Sequence, residues 1–291
     1  MKTSMRALVC VVLSVAVLSC YSTPAFAWGK KGHRIVATIA EQNISDQTHL
    51  RIKQILGGGV TLADVANYAD DVRDQHPETY NYHFVDIPID NNVNDDEYKP
   101  SRDCKMKPKG DCVLAALSRY RDKVLSPSST LEQRADALKF IIHLVGDMHQ
   151  PLHCAERNND GGGGGVSVTW FTANANLHSV WDSLIIDRPH LSDAKFVQGL
   201  INGSTAQERA EMREGNILQW ALEAHRIAGE SAYKLPHDNK LGTQYYNDNW
   251  PLVHRQLLRG GMRLARVLDW LFAPHTGPNS DDPLLLVAVS E

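Results

Sequence analysis

The chain has 291 residues, of which 43% are hydrophobic and 22% charged, and its formal net charge is -4. A protein that holds nucleic acid through phosphate charge alone carries a basic surplus, so this balance argues against a nonspecific electrostatic binder. It leaves a metalloenzyme open, because bound divalent cations add positive charge that the count omits.

Lys2 and Arg6 precede an apolar run from Ala7 to Leu18, and Ala25-Phe26-Ala27 follows as a small-x-small pattern. Together they predict a secretory signal peptide over residues 1–27, with an apolar core too short for a permanent membrane helix. Cleavage after Ala27 makes Trp28 the first residue of a slightly more acidic mature chain. Cys20, in VLSCYS, is a competing lipidation site, but Leu18 fits such a site poorly and the Ala-x-Ala pattern lies downstream.

Helical periodicity then covers 34–44, 62–72, 113–124, 131–148, 177–186, 206–227 and 252–272. In the second window Leu62, Val65, Ala69 and Val72 fall at i, i+3, i+7 and i+10, one stripe of a helix. Strand signals are few. The best is VSVTWF, residues 166–171, where apolar and polar residues alternate after a five-glycine run, and a short β hairpin is expected there. With no long linker, repeat or composition shift, residues 28–274 read as a single, mainly α domain, a helical bundle. The tail 275–291 holds an apolar run too short for a membrane helix, and the sequence gives it no role.

Of five cysteines, Cys10 and Cys20 leave with the signal peptide. Cys104 and Cys112 flank KMKPKGD, a loop able to close as a disulfide in an oxidising compartment. Cys154 is then a buried thiol or, beside His153, a soft metal ligand; burial is the commoner fate of a free cysteine.

The chemistry concentrates in FIIHLVGDMHQPLH, residues 140–153. His143 and Asp147 stand four apart on a helix, so both side chains can meet one metal ion. Pro151 ends or kinks that helix and frees His153 to point elsewhere. His149, two residues past Asp147, lies roughly opposite on the helix and reads as a polar residue bonding the backbone. The His-x-x-x-Asp spacing returns in LHSVWD with His178 and Asp182. Asp70 and Arg73 share a helix face in NYADDVRDQ, and NYHFVDIP supplies His83, Phe84 and Asp86 in an extended segment. Taken singly, Asp70 reads as a solvated charge and Phe84 as core.

In the order WGKKGH, YADDVR, YHFVD, SRDC, FIIHLVGDMHQPLH and NLHSVWD, these pieces resemble the zinc-dependent, single-strand-preferring nucleases typified by mung bean nuclease and the plant bifunctional nucleases. That family is structurally related to bacterial zinc phospholipase C. The resemblance reaches from Trp28 to about Asp182. It implies a secreted or periplasmic endonuclease that hydrolyses single-stranded DNA and RNA to 5′-phosphorylated products, with action on 3′-nucleotides and with no transmembrane anchor. It also implies three zinc ions: one on Asp70, His83, His143 and Asp147; a neighbour on His33, the Trp28 amino and carbonyl groups and a bridging Asp147; a third on His153, His178 and Asp182. Imidazole and carboxylate are ordinary zinc ligands. In the implied mechanism the paired ions activate water and the third steadies the leaving oxygen. Asp70 and Arg73 take the catalytic roles, Arg73 neutralising phosphate, while Phe84 stacks a base and Asp86 bonds its edge. One departure stands out: Gly164 occupies the place where the family usually has an asparagine. The same zinc framework also serves a phospholipase C or a non-catalytic zinc-binding helical protein; the HFVD segment favours the nuclease.

Overall fold

The computed structural model describes residues 28–89, 97–274 and 281–286. The expected signal segment 1–27 lies outside them. The chain is mainly helical, as the periodicity predicts, with one small sheet.

Helix α1 (Lys30–Glu41) begins four residues earlier than its apolar pattern and buries Ile35, Val36 and Ile39. It is followed by α2 (Asp46–Leu56), capped by the Ser45 side chain. The periodicity missed α2 because among its side chains only Thr48 and Ile52 are buried, too thin an apolar stripe to register. The window 62–72 does not form one helix. It divides into α3 (Leu62–Val65), closed by a Thr61–Asp64 capping box, and α4 (Tyr68–Val72). Between them the Ala66 carbonyl is left to bind a side chain, as shown below.

A 3₁₀ turn (Pro77–His83), the short α5 (Pro100–Asp103) and α6 (Val113–Leu125) lead to the central helix α7 (Leu131–Asp147). A Thr130–Gln133 capping box starts α7, and every residue from Phe140 to Asp147 is buried. Pro151 then redirects the chain into a 3₁₀ turn (Pro151–Cys154).

Strands β1 (Ser167–Trp170) and β2 (Ala173–Asn176) form the expected hairpin, which extends five residues past the alternating stretch. Strand β3 (Lys240–Leu241) adds in parallel to the other edge of β1, giving the order β2-β1-β3. Strand β2 runs directly into a helical stretch made of α8 (Leu177–Ser179), a π-helical turn (Val180–Leu184) and α9 (Ile185–Asp187).

Two further helices, α10 (Asp193–Asn202) and α11 (Ala206–Met212), precede α12 (Ile217–Ile227). The window 206–227 is thus interrupted. Gly215 adopts a left-handed φ of 94° and an Asn216–Gln219 capping box restarts the helix. The last helix, α13 (Thr243–Phe272), starts nine residues before the expected 252 and runs through Pro251, which gives up a ladder bond at an exposed position. Gly261 lets α1 pack closely on α13: a Cβ there would lie 2.4 Å from Ile39. Residues 281–286 dock back on the body, where Arg121 pairs with Asp282 at 2.6 Å and the Leu284 side chain is fully buried. Part of the tail therefore closes the core beside α6 and α12.

Candidate metal centre

Four elements deliver side chains to one buried locus: α1 gives His33, α4 gives Asp70, the 3₁₀ turn gives His83, and α7 gives His143 and Asp147. Asp147 is at its centre. Its Oδ2 lies 2.9 Å from His83 Nδ1 and 3.2 Å from His143 Nε2, and its Oδ1 lies 3.3 Å from His33 Nε2. Asp70 approaches from the far side, 3.8 Å from His83 Nδ1 and 3.9 Å from His143 Nε2. His33, His143 and Asp147 make one group able to hold a cation, and Asp70, His83 and His143 an adjoining one.

A third group forms where the chain turns at Pro151 and where β2 enters α8. His153 Nε2 and His178 Nε2 are 3.1 Å apart, and Asp182 Oδ2 lies 3.2 Å from His178 Nε2. Each of these imidazoles is aimed by its other nitrogen. His143 Nδ1 donates to the Ala66 carbonyl, His153 Nδ1 to that of His83 and His178 Nδ1 to that of Gly162, all at 2.8 Å. Such outer partners fix the tautomer and leave Nε2 unprotonated toward a metal.

Two observations test whether cations fit. Ligands about 2.0 Å from a tetrahedral zinc sit roughly 3.3 Å from one another, close to the nearer separations above. Furthermore, buried atoms that face the locus have no hydrogen-bond partner: Nε2 of His33, Oδ1 of Asp70 and Oδ1 of Asp147. Buried polar groups are normally satisfied, so a cluster of orphaned donors suits metal ions. The electrostatics agree. Burial pushes His33 and His178 down and takes His153 down to about 3, keeping these imidazoles neutral as ligands must be. Burial alone would raise Asp147, but His143, His33 and His83 outweigh it and hold the carboxyl well below the usual range. His143 is the counterpart: burial lowers it, and Asp147 and Asp70 carry it up to about 9. Asp182 is pushed well above the carboxylate range by burial, opposed by its bond from Gln150.

Beside the groups opens a cavity of about 210 Å³ lined by Arg73, Tyr80, His83, Phe84, Asp86, Leu152, His153, Glu156, Gly161, Gly162 and His178. Phe84 is half-buried and faces this space, so the core reading of that ring gives way to a wall of the site. Arg73 is largely buried, 3.8 Å from Asp70 and with its guanidinium 5.1 Å from the centre of the Tyr80 ring. Burial, with Glu156 nearby, pushes the Asp86 carboxyl up to about 6.

Cys104 and Cys112 are joined, and Cys154 is a buried free thiol near the Met148 carbonyl, outside the metal groups. His149 bonds the Val145 carbonyl at 2.7 Å and accepts from Arg263 at its other nitrogen. The Trp28 side chain is fully buried and its indole nitrogen has no partner. The first three glycines of the run, Gly161 to Gly163, all have left-handed φ, and a Cβ on Gly162 would come 2.3 Å from the Leu152 carbonyl oxygen. Gly164 has no such constraint; a Cβ there would meet the Gly161 oxygen at 3.2 Å.

Sequence reasoning missed Gln150. It is fully buried, its amide donating to Asp182 Oδ1 at 2.6 Å while its Oε1 accepts from the Leu152 N–H at 2.6 Å. Nothing but its place between His149 and Pro151 marked it. Gln150→Leu should weaken metal affinity at the His153 group by about 10- to 100-fold. Competition with a chelator, read site by site, would show it; unchanged affinity would make Gln150 a packing residue.

A helical domain with clustered His and Asp groups opening on an aromatic cavity is the frame of a metal-dependent hydrolase. Residues 28–273 match the family model described as S1/P1 Nuclease. Endonuclease 5 of Arabidopsis thaliana is 31% identical over 291 residues, covering 90% of this chain and 96% of the relative. Nuclease P1 of Penicillium citrinum is 30% identical over 275 residues, covering 85% and 98%. Nuclease S1 of Aspergillus oryzae is 29% identical over 269 residues, covering 84% and 91%. The chain belongs to the S1/P1 nuclease family and is an endonuclease acting on nucleic acids.

Proposed function

We propose that this chain is an exported enzyme, freed of residues 1–27, that hydrolyses single-stranded DNA and RNA to 5′-phosphorylated products and also acts on 3′-nucleotides, with three zinc ions as cofactors. The observation that carries this reading is the clustering of three His/Asp groups beside a cavity that His83, His153 and His178 line together with Phe84. The start of the family match at Trp28 and the Cys104–Cys112 disulfide support export and the 28–274 domain. Among the described residues no helix is long and apolar enough to cross a membrane.

The residues divide the work. Asp70, His83, His143 and Asp147 hold one ion, His33 and Asp147 with the Trp28 amine and carbonyl a second, and His153, His178 and Asp182 a third. When bound, the ions supply Lewis acidity toward the phosphate and its attacking water. Arg73 neutralises a nonbridging phosphate oxygen and is steadied by Asp70 and the Tyr80 face. Phe84 stacks a base and Asp86 accepts a hydrogen bond from its edge. A flat aromatic face suits unpaired bases, which a duplex would withhold.

Zinc quantification on processed protein, together with digestion of single- and double-stranded DNA and RNA, tests the reading. Three zincs per chain and acid-soluble 5′-phosphorylated products are expected; intact nucleic acid beside full zinc content would leave a zinc-binding protein without catalysis. Phe84→Ala should weaken nucleotide binding by about 1 to 3 kcal/mol while zinc content and melting temperature hold. A large fall in melting temperature with unaltered affinity would return Phe84 to the core.

A further inference from the structure

The base-facing wall of the cavity carries a second carboxylate. Residues 84–89 turn tightly at Asp86, where the Ile87 N–H donates to the Val85 carbonyl at 3.0 Å, with Val85 and Ile87 fully buried and Phe84 and Asp86 half-buried. This segment is tied by its main chain to the one after His153: Val85 N–H donates to the His153 carbonyl at 2.8 Å, Glu156 N–H to that of Ile87 at 2.9 Å, and Ile89 N–H to that of Glu156 at 2.7 Å. The pairing brings Glu156 beside Asp86 on the same cavity as Phe84. Glu156 Oε1 takes only a long contact, 3.4 Å, from the Gly161 N–H, and Lys107 Nζ stands 3.9 Å from Asp86 Oδ2. The nearby Asp160 takes Tyr233 OH at 2.9 Å and the Arg157 N–H at 3.1 Å on Oδ1, leaves Oδ2 buried without a partner, and does not line the cavity. Among the described residues, Asp86 and Glu156 are the carboxylates that line the cavity.

From this arrangement we infer that Glu156 acts with Asp86 as a base-selecting pair that favours guanine over uracil and thymine. The inference rests on the nuclease reading of the same cavity. Ionised carboxylates only accept hydrogen bonds. Guanine alone among the common bases presents two neighbouring donors, N1–H and the N2 amino group, to such a pair. Adenine and cytosine offer an amino group beside a ring acceptor, so one carboxylate is met and the other opposed. Uracil and thymine place N3–H between two carbonyls, both of which confront carboxylate oxygens. Stacking on Phe84 admits every base, and the acidic edge ranks them. Polar groups left unmatched in a buried site are what give such discrimination its size.

The test uses the zinc-loaded protein and dinucleoside monophosphates carrying each base on the 5′ side and on the 3′ side, assayed above the Asp86 value of about 6. On the side that enters the cavity, kcat/KM for guanine should exceed that for uracil about ten-fold, a bidentate-scale difference. Inhibition by guanosine and uridine 5′-monophosphates should follow the same ratio. Glu156→Gln turns one acceptor into a donor, so the guanine-to-uracil ratio should collapse several-fold while adenine and cytosine rise relative to guanine. Melting temperature and zinc content certify the fold of the variant, and Glu156→Ala gives a second reading of the ratio. Equal constants for all bases, or a wild-type ratio that survives in folded Glu156 variants, would overturn the pair while leaving the nuclease reading intact. If no dinucleotide is bound or cut by fully loaded protein, the nuclease reading itself fails and the pair falls with it.

Discussion

Replacing Asp147 with Asn is expected to cost at least a hundredfold in turnover and to disturb two metal positions together. Asp147 is fully buried and its two oxygens face different imidazoles, Oδ1 toward His33 and Oδ2 toward His83 and His143. An amide keeps the shape but turns one acceptor into a donor aimed at ligand nitrogens. Changes to outer partners of metal ligands alone cost 10- to 100-fold, so loss of the ligand proposed to be shared by two ions should exceed that. Asp182→Asn, by contrast, should deplete only the His153 and His178 position. Zinc per chain separates the two variants, and melting temperature shows how much of the metal's binding energy is folding energy. Three zincs and full activity in Asp147→Asn would end the shared role.

The second large effect concerns Trp28 as the proposed start of the mature chain. A free α-amino group has a pKa of about 7.7 to 8.0, low enough to yield its proton to a nearby zinc, whereas an amide nitrogen is a poor ligand. The fold holds this end in place. Trp28 is fully buried against Gly32, where a Cβ would come 2.9 Å from the tryptophan Cβ, and the Gly29 N–H donates to the Asp182 carbonyl at 2.8 Å. His33 follows one turn later. Protein cleaved before Trp28, protein with one added N-terminal residue and protein retaining the whole leader should therefore differ. The two extended forms should lose zinc selectively from the His33 position and lose most turnover, with helical content unchanged. Equal zinc and equal rates in all three would remove the N-terminus from the chemistry.

The motif segments put the His/Asp groups within reach of the sequence because their chemistry is local. His143 with Asp147, and His178 with Asp182, are set four apart on helical stretches, and that spacing alone aims them together. Helix boundaries were less legible. The window 62–72 carries a continuous apolar stripe, yet the chain breaks at Ala66 and Asn67, and the reward is non-local: the Ala66 carbonyl meets His143 from 77 positions away. Likewise α2 hides because it is mostly polar, and α13 because Pro251 suggests a start that the exposed helix face does not need. Gln150 and Glu156 were missed for the same physical reason. Their roles depend on what the folded chain brings opposite them, Asp182 for one and Asp86 for the other.

The glycine run beside His178 divides the chain's freedom to change over generations. At Gly162 any mutation adds an atom on top of the Leu152 carbonyl, in a backbone conformation side chains rarely adopt, and the carbonyl of Gly162 is the one that aims His178. A side chain at position 162 would therefore displace the carbonyl that orients His178. Gly164, two positions on, lacks the left-handed backbone and asks its neighbour to give by only a few tenths of an ångström. A side chain at position 164 therefore meets one backbone oxygen rather than a forbidden backbone conformation, and how far Gly161 yields sets its cost.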